Sequence, residues 1–274
     1  MVNILISGYY GFDNIGDESI LRTLVSSLRE HIPDCSLTVL SHNPASTREK
    51  YGVEAVDRMS PMAILRAVKK CDMLISGGGS LLQDVTSSKS LHYYLSIIRC
   101  AEFFHKKVFI YSQGIGPIDR PGNRRAAAAA LKRADGIVVR DERSASLLEE
   151  IGIARDKVVI TADPVIRMKK PDGDVGAEIL RKAGVSLDGR LTVGWAIRER
   201  DTDSRFVKEL LRSIQMMKDK YNAQSVLIPF HYEEDGEVCR HIAAQLPDDT
   251  AVCLNEKYLS EDMLSIIGNM DLLV

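Results

Sequence analysis

The chain reads as an α/β protein of two Rossmann-like domains, each built on a parallel sheet. Three observations predict this. Short apolar runs of strand length alternate with amphipathic stretches of helical period along the whole sequence. Most of these runs end in glycine-rich or polar turns, as strands do when they feed helices across a parallel sheet. The length of 274 residues exceeds that of an ordinary single domain, and one polar, breaker-rich stretch interrupts the alternation.

Residues 2–7 read as a buried strand, followed by the turn 8–18 (GYYGFDNIGDE) and a helix in which Ile20, Leu21, Leu24, Val25 and Leu28 recur at helical spacing. Residues 37–41 and 53–56 are the next strands, separated by a short helix that Pro44 starts. A helix over 61–70 precedes the strand 72–76, which runs into Gly77-Gly78-Gly79-Ser80. A helix over 91–104 and a strand over 108–112 follow, ending in Gln113-Gly114-Ile115-Gly116-Pro117. The alanine run 126–130 makes 123–133 a strong helix former. The strand 136–139 meets Arg140-Asp141-Glu142-Arg143-Ser144 and the helix 144–151, and the strand 158–160 leads into Thr161-Ala162-Asp163-Pro164.

The first domain is therefore expected to span 1–166, with a linker over 167–176 marked by Lys169-Lys170-Pro171-Asp172-Gly173-Asp174. The second, 177–274, restarts the alternation with strands at 191–197, 225–229 and 250–254 and helices at 204–218, 235–246 and 260–268. Residues 271–274 look like the opening of another buried strand. A buried strand with no returning helix predicts a C-terminally shortened chain whose second domain is incomplete.

Hydrophobic residues at 45% and charged residues at 27% fit a soluble globular protein. A net charge of −2 provides no basic field, so no nucleic-acid partner is expected. The five cysteines are odd in number, widely spaced and lack a C-x-x-C pair, which argues against a disulfide framework or zinc and for a reducing cytoplasm. No apolar run approaches the ~20 residues of a transmembrane helix, leaving a soluble or at most peripheral protein.

In a parallel sheet the strand ends emerge on one edge, so turns distant in sequence converge on one ligand. Gly8, Gly11 and Gly16 permit close approach to a ligand at a helix start, where amides favour an anion. Asp13, Asn14 and Asp17 add polar groups beyond what a turn needs, although Asn14 or Asp17 could equally cap the helix. The glycine spacing matches neither G-x-G-x-x-G nor the Walker signature. In 77–84 (GGGSLLQD), Gly78 and Gly79 offer amides, Ser80 a hydroxyl and Asp84 a carboxylate. Gln113 and Gly114 stand at the next turn. Arg140 and Arg143 suit bidentate bonds to a carboxylate or phosphate, or ion pairs with Asp141, Glu142 or Asp135. In the second half Arg198, Arg200 and His231 occupy the matching strand ends and are expected to face the first domain across a cleft. His231 and its acidic neighbours lack metal-ligand spacing, so no metal is expected. Together these turns predict a cleft for a small, anionic, oxygen-rich ligand.

GYYGFDNIGDESIL at 8–21, ISGGGSLLQD at 75–84, QGIGPI at 113–118, VRDERS at 139–144, TADP at 161–164, and Pro229, Phe230 and Asp235 make an ordered set over essentially the whole chain. In that set the chain resembles the polysaccharide pyruvyl transferase family, especially the cell-wall enzymes that pyruvylate N-acetylmannosamine of a secondary cell-wall polysaccharide for surface-layer anchoring. The resemblance implies a two-domain fold of the glycosyltransferase B type. It further implies transfer of pyruvyl from phosphoenolpyruvate, with no other cofactor, onto a sugar 4,6-diol, with release of phosphate. By that reading Asp13 and Asp17 are the catalytic candidates. Gly11, Asn14, Gly78, Gly79, Ser80, Asp84, Gln113, Gly114, Arg140, Arg143, Arg198 and His231 bind substrates, the arginines taking the anionic donor. A lipid-linked acceptor would bring contact with the inner face of the cell membrane. The family's later R-L-H-A segment has no counterpart here, so impaired catalysis is expected of the chain as it stands. The rival readings are a nucleotide-sugar-dependent glycosyltransferase or epimerase and a non-catalytic sugar-binding module. The sequence does not choose the acceptor sugar or its carrier.

Overall fold

The computed structural model describes residues 1–85, 87–171, 173–199 and 201–274. The chain divides into two units, one of residues 1–12 and 17–168, the other of residues 13–16 and 169–274. The cut falls between Met168 and Lys169, and the middle of the opening turn is counted with the second unit.

In the first unit seven parallel strands lie in the order β3-β2-β1-β4-β5-β6-β7. They are β1 (Val2–Tyr10), β2 (Cys35–Ser41), β3 (Glu54–Asp57), β4 (Met73–Ser76), β5 (Lys107–Gln113), β6 (Gly136–Val139) and β7 (Val158–Ile160). The helices between them are α1 (Ile15–His31), α2 (Pro44–Tyr51), α3 (Pro61–Lys70), α4 (Ser88–Phe103), α5 (Pro121–Leu131) and α6 (Glu142–Glu150). Strand side chains alternate between faces, and β1 makes this visible. Leu5 joins the core under α4 and α5, while Ile4 and Ile6 join the opposite core with Leu21, Leu24 and Val25 of α1. The strand order reverses beside β1, so β1, β4, β5, β6 and β7 are consecutive neighbours whose following turns share one edge.

β1 extends to Tyr10, three residues beyond the strand expected from the apolar run. Tyr10 is fully buried, and its ring takes the space that two glycines leave open. A Cβ on Gly8 would lie 2.2 Å from a ring carbon of Tyr10, and one on Gly77 would lie 2.2 Å from its hydroxyl. These two glycines are therefore packing devices for a core tyrosine.

In the second unit four parallel strands lie in the order β10-β9-β8-β11. They are β8 (Thr192–Ile197), β9 (Gln224–Pro229), β10 (Ala251–Cys253) and β11 (Leu272–Leu273), with helices α7 (Val175–Lys182), α8 (Arg205–Tyr221), α9 (Tyr232–Ala243) and α10 (Ser260–Ile267). The end of the expected linker is corrected by α7. Asp174 caps this helix by accepting from the Ala177 amide, and Gly176 lets its backbone touch α10. A Cβ on Gly176 would stand 2.3 Å from the Ser265 carbonyl carbon, and its amide donates to Ser265 Oγ at 2.9 Å. Breaker residues that suggest a linker thus serve a helix start and a helix crossing. Asp172 lies outside the described residues.

Candidate active site

Four turns of the first unit meet because their strands are neighbours. Gly79 follows β4 with φ at +90°, and a Cβ there would lie 2.8 Å from Asp17 Oδ1. The glycine thus lets the Asp17 carboxylate settle against the GGGS turn. Its carbonyl accepts from the Gly114 amide at 2.9 Å, joining that turn to the one after β5. Gly114 is needed for a similar reason. A Cβ there would lie 2.9 Å from Arg140 Nε and 3.1 Å from Ser80 Oγ, so the guanidinium rests on bare backbone.

Arg140, at the end of β6, is committed on both arms of its fork. Nη1 donates to Asp163 Oδ2 at 2.7 Å and Nη2 donates to Ser80 Oγ at 3.1 Å. Its main ionic partner is thus Asp163 of the turn after β7, not one of the nearer acids that the sequence offers. Asp141 lies at 4.0 Å from Nε and caps α6, accepting from the Ser144 amide at 2.7 Å. Ser144 Oγ in turn accepts from the Ile115 amide at 2.8 Å. Arg143, one residue into α6, is exposed and has no hydrogen-bond or ion-pair partner among the described residues. These groups border a cavity of about 420 Å³ walled by Ser80, Gly114, Pro117, Arg124, Arg140 and Arg143. Arg124 is engaged, donating to the Ile118 carbonyl at 2.7 Å and to Glu150 at 3.3 Å. A pocket with one uncommitted guanidinium, a second arginine held in place and hydroxyls at its rim is equipped to take an oxyanion.

Two expected ligand residues turn out to be internal braces. Asp84 is 6% exposed, and its oxygens accept from the Asp119 amide at 2.9 Å, the Arg120 amide at 3.1 Å and Asn123 Nδ2 at 2.7 Å. Burial pushes its carboxyl up, but those three bonds win and hold it below the usual carboxylate range. Asp84 therefore fixes the entry to α5. Gln113 is fully buried, its amide donating to Ser76 O, Ser76 Oγ and Gly77 O at 2.8–3.0 Å. It ties β5 to the end of β4.

The opening turn is held from behind. Glu18 is 5% exposed and accepts from the Gly11 amide at 2.8 Å and from the Tyr51 hydroxyl. Gly11 has φ at +79° and would place a Cβ 2.2 Å from Ser41 Oγ, so no other residue fits. Gly78 packs under Ile20, where a Cβ would approach a methyl to 2.9 Å.

Within the second unit, Asp13 adopts a left-handed backbone, φ +55°, and accepts from Lys257 Nζ at 2.9 Å. Lys257 also donates to Glu233 at 3.2 Å and lies over the Tyr232 ring. The bond to Asp13 is the main cause that raises the Lys257 ammonium above its ordinary pKa. Asn14 bridges to His231 as an isolated antiparallel pair, and the Ile15 amide donates to the Phe230 carbonyl at 3.0 Å. His231 caps α9, Nδ1 accepting from the Glu234 amide at 3.2 Å, while its own amide donates to Asp235 at 2.7 Å. Asp235 is 3% exposed, and burial pushes its carboxyl up against the opposing pull of the His231 amide and the Arg198 charge. Arg198 is exposed. Arg200 lies outside the described residues. Among the described residues no cluster of three or more metal-ligating side chains occurs, and no helix is long and apolar enough to cross a membrane.

The partners Lys257, Asp163 and Glu18 were not singled out from sequence. Asp163 carried a signal, as the acid of the TADP turn at a strand end. Glu18 carried one in the acid-rich turn itself, whereas nothing local marks Lys257.

A sequence model of the family described as "Polysaccharide pyruvyl transferase" matches residues 14–274. The amylovoran biosynthesis protein AmsJ of Erwinia amylovora is 24% identical over 239 residues, covering 72% of this chain and 57% of AmsJ. The chain thus spans a little over half of that relative. Among solved structures, Anabaena HepE in complex with UDP and glucose superposes with a TM-score of 0.64 at 11% identity, over 100% of this chain and 73% of HepE. The UDP-GlcNAc 2-epimerase of Neisseria meningitidis, bound to UDP-GlcNAc, gives 0.63 at 14% identity, over 100% and 77%. The ADP-heptose heptosyltransferase II of E. coli gives 0.52 at 14% identity, over 100% and 78%. At such identities the likeness is one of fold, that of glycosyltransferases and epimerases of the B type.

Proposed function

Since the chain belongs to the polysaccharide pyruvyl transferase family, we propose that it transfers the pyruvyl group of phosphoenolpyruvate to a sugar diol during polysaccharide assembly. The observation that carries this reading is Arg143, a guanidinium without a hydrogen-bond or ion-pair partner among the described residues, on the wall of a cavity where Arg140 and Ser80 are already fixed. Phosphoenolpyruvate presents a carboxylate and a phosphate, and planar guanidinium forks match both.

In the reaction a sugar hydroxyl oxygen bonds to C2 of the donor and gives up its proton while C3 takes one and becomes a methyl group, so this step exchanges no net proton. The C2–O bond to phosphate then breaks, and the second hydroxyl closes the ketal at C2, giving up its proton to the departing phosphate. Arg143 and Arg140 hold the donor's charge. Asp17, seated against Gly79 in the first unit, and Asp13 in the second are our candidates for hydroxyl positioning or proton transfer. Asn14, Gly11, Gly78 and Gly79 shape the turns, and Arg198 and His231 are further binding candidates. The acceptor is a 4,6-diol such as that of N-acetylmannosamine in a secondary cell-wall polysaccharide precursor. Because phosphoenolpyruvate is an intracellular metabolite, the reaction belongs in the cytoplasm, at the membrane face where the acceptor is lipid-linked.

Calorimetric titration of phosphoenolpyruvate and of UDP-N-acetylglucosamine into the protein, with phosphate release measured in the presence of a 4,6-diol acceptor, tests the reading. Saturable binding of phosphoenolpyruvate with acceptor-dependent phosphate release is expected. Binding of the UDP-sugar without response to phosphoenolpyruvate would replace it with a nucleotide-sugar transferase.

A further inference from the structure

We propose that Arg58 is a positioning residue that sets the opening turn for reaction, acting through the Gly8 carbonyl and the Tyr94 hydroxyl. Its kinetic consequence rests on the pyruvyl-transfer reading, whereas its structural consequence does not.

Arg58 follows β3 directly and is 6% exposed, yet no carboxylate pairs with it among the described residues. A buried cation without a counter-charge is a costly choice where an apolar side chain of similar volume would pack as well. The guanidinium is compensated in another way. Nη1 donates to the Gly8 carbonyl at 2.9 Å and Nη2 to Tyr94 Oη at 3.2 Å. The rings of Tyr93, Phe12, Tyr94 and Tyr9 surround it at 4.7, 5.1, 5.6 and 5.7 Å. Only a rigid fork reaches both oxygens while stacking among rings, so lysine is no equivalent.

What the fork grips is the opening turn itself. Gly8 is its first residue, and Tyr9 and Phe12 stack on each other at 4.1 Å, with Phe12 in turn stacked on His42 at 4.3 Å. At its other arm, Tyr94 is 2% exposed and feels both Arg58 and Asp17. Tyr94 accepts from Arg58, so its own proton remains available for an acceptor. Arg58 thereby connects the backbone that starts the turn to a phenol in the field of Asp17, the carboxylate assigned above to the acceptor. A second tyrosine provides the control. Tyr93 Oη donates at 2.9 Å to the Arg58 backbone carbonyl, and Tyr93→Phe keeps the ring that faces the guanidinium.

The test compares Arg58→Lys, Tyr94→Phe and Tyr93→Phe in the full chain by thermal melting, amide hydrogen exchange and steady-state kinetics with phosphoenolpyruvate and a diol acceptor. Arg58→Lys and Tyr94→Phe are expected to accelerate exchange selectively within residues 8–18. They should also lower kcat by about 10- to 100-fold while the KM for phosphoenolpyruvate stays within about two-fold, as loss of a charged hydrogen bond away from the donor would do. Tyr93→Phe should lower the melting temperature with kcat within about two-fold of the parent, since it removes one neutral hydrogen bond. Unchanged exchange over 8–18 in both Arg58→Lys and Tyr94→Phe would overturn the proposal, as would Tyr93→Phe matching their kinetic loss. If the parent protein transfers no pyruvyl group while exchange responds as expected, the function reading fails and the positioning of the turn stands.

Discussion

Arg143→Ala separates a residue kept for a ligand from one kept for the fold. The side chain is exposed and makes no hydrogen bond or ion pair among the described residues, so truncation should change stability by no more than about 0.5 kcal/mol. Under the proposed function, its loss from the cavity wall should remove a charge-assisted bond to the donor, worth about 1.5–3 kcal/mol, or roughly 10- to 150-fold in affinity at 1.4 kcal/mol per decade. Arg143→Lys should retain part of the attraction but lose the bidentate geometry, and fall between. Calorimetry with phosphoenolpyruvate at two salt concentrations, beside a thermal melt, reads both quantities. Arg140→Ala provides the contrast, because it also strips Asp163 of its ion pair and Ser80 of its donor. That pair is about one-third exposed on each side, so its removal should cost no more than about 1 kcal/mol. A phosphoenolpyruvate affinity for Arg143→Ala within two-fold of the parent, with the fold intact, would refute the assignment of this cavity to the donor.

Gly114→Ala should leave the melting temperature nearly unchanged yet weaken donor binding, because the added methyl meets Arg140 Nε at 2.9 Å and swings the guanidinium off the turn; unaltered affinity would count against a seated Arg140. Asp84→Asn should destabilise by about 2–4 kcal/mol by turning an amide nitrogen toward buried donors. The Asp84 carboxyl is depressed in the fold, so its contribution is present above the unfolded pKa of about 3.9 and is lost as pH falls through the folded value. The acid limb of stability should therefore flatten in Asp84→Asn, which denaturant titrations between pH 2 and 7 would read. Asp235→Asn should act in the opposite sense. Burial raises that carboxyl, so the parent loses stability as pH climbs from about 3.9 through the folded pKa, and the amide escapes that loss. Asp235→Asn is expected to be the more stable at pH 7 and to lose its advantage below about pH 4, and equal melting temperatures at pH 7 would rule this out.

The sheet edge was legible because its cues are local. Strands of four to seven residues end in glycine turns after β4 and β5 and in charged residues after β6, and parallel topology brings such turns together. What each polar group does there was not legible, because its partner is chosen by the fold. Asp84 and Gln113 look like ligand residues in sequence, and only burial and donors from other elements reveal them as braces. Lys257 meets Asp13 across 244 residues, beyond any periodicity or spacing argument. Arg58 stands in an ordinary strand end, and nothing in the sequence places four rings around it. The glycines divide in the same way. Gly11 and Gly79 need positive φ, while Gly8, Gly77 and Gly176 are chosen by a neighbour's volume, which sequence does not carry.

Lys257 limits the chemistry open to Asp13 in the opening turn. A carboxylate already engaged by an ammonium is a weaker acceptor for a hydroxyl proton, because transfer would replace an ion pair with a neutral acid beside a cation. Asp13 is in that position, with Lys257 Nζ at 2.9 Å, and its left-handed backbone holds the carboxylate to that partner. Such a group orients a sugar hydroxyl better than it deprotonates one. Tyr10 and Tyr94 are buried phenols, each held above the ordinary tyrosine pKa first by burial, with the Asp17 charge adding to it. Phenols that keep their protons at neutral pH can donate to a carboxylate or to a substrate oxygen but cannot compete with it as bases. Under the proposed function, Asp13→Asn, which keeps an oxygen for Lys257, should therefore mainly raise the KM for the acceptor, and a fall in kcat with KM unchanged would refute this assignment.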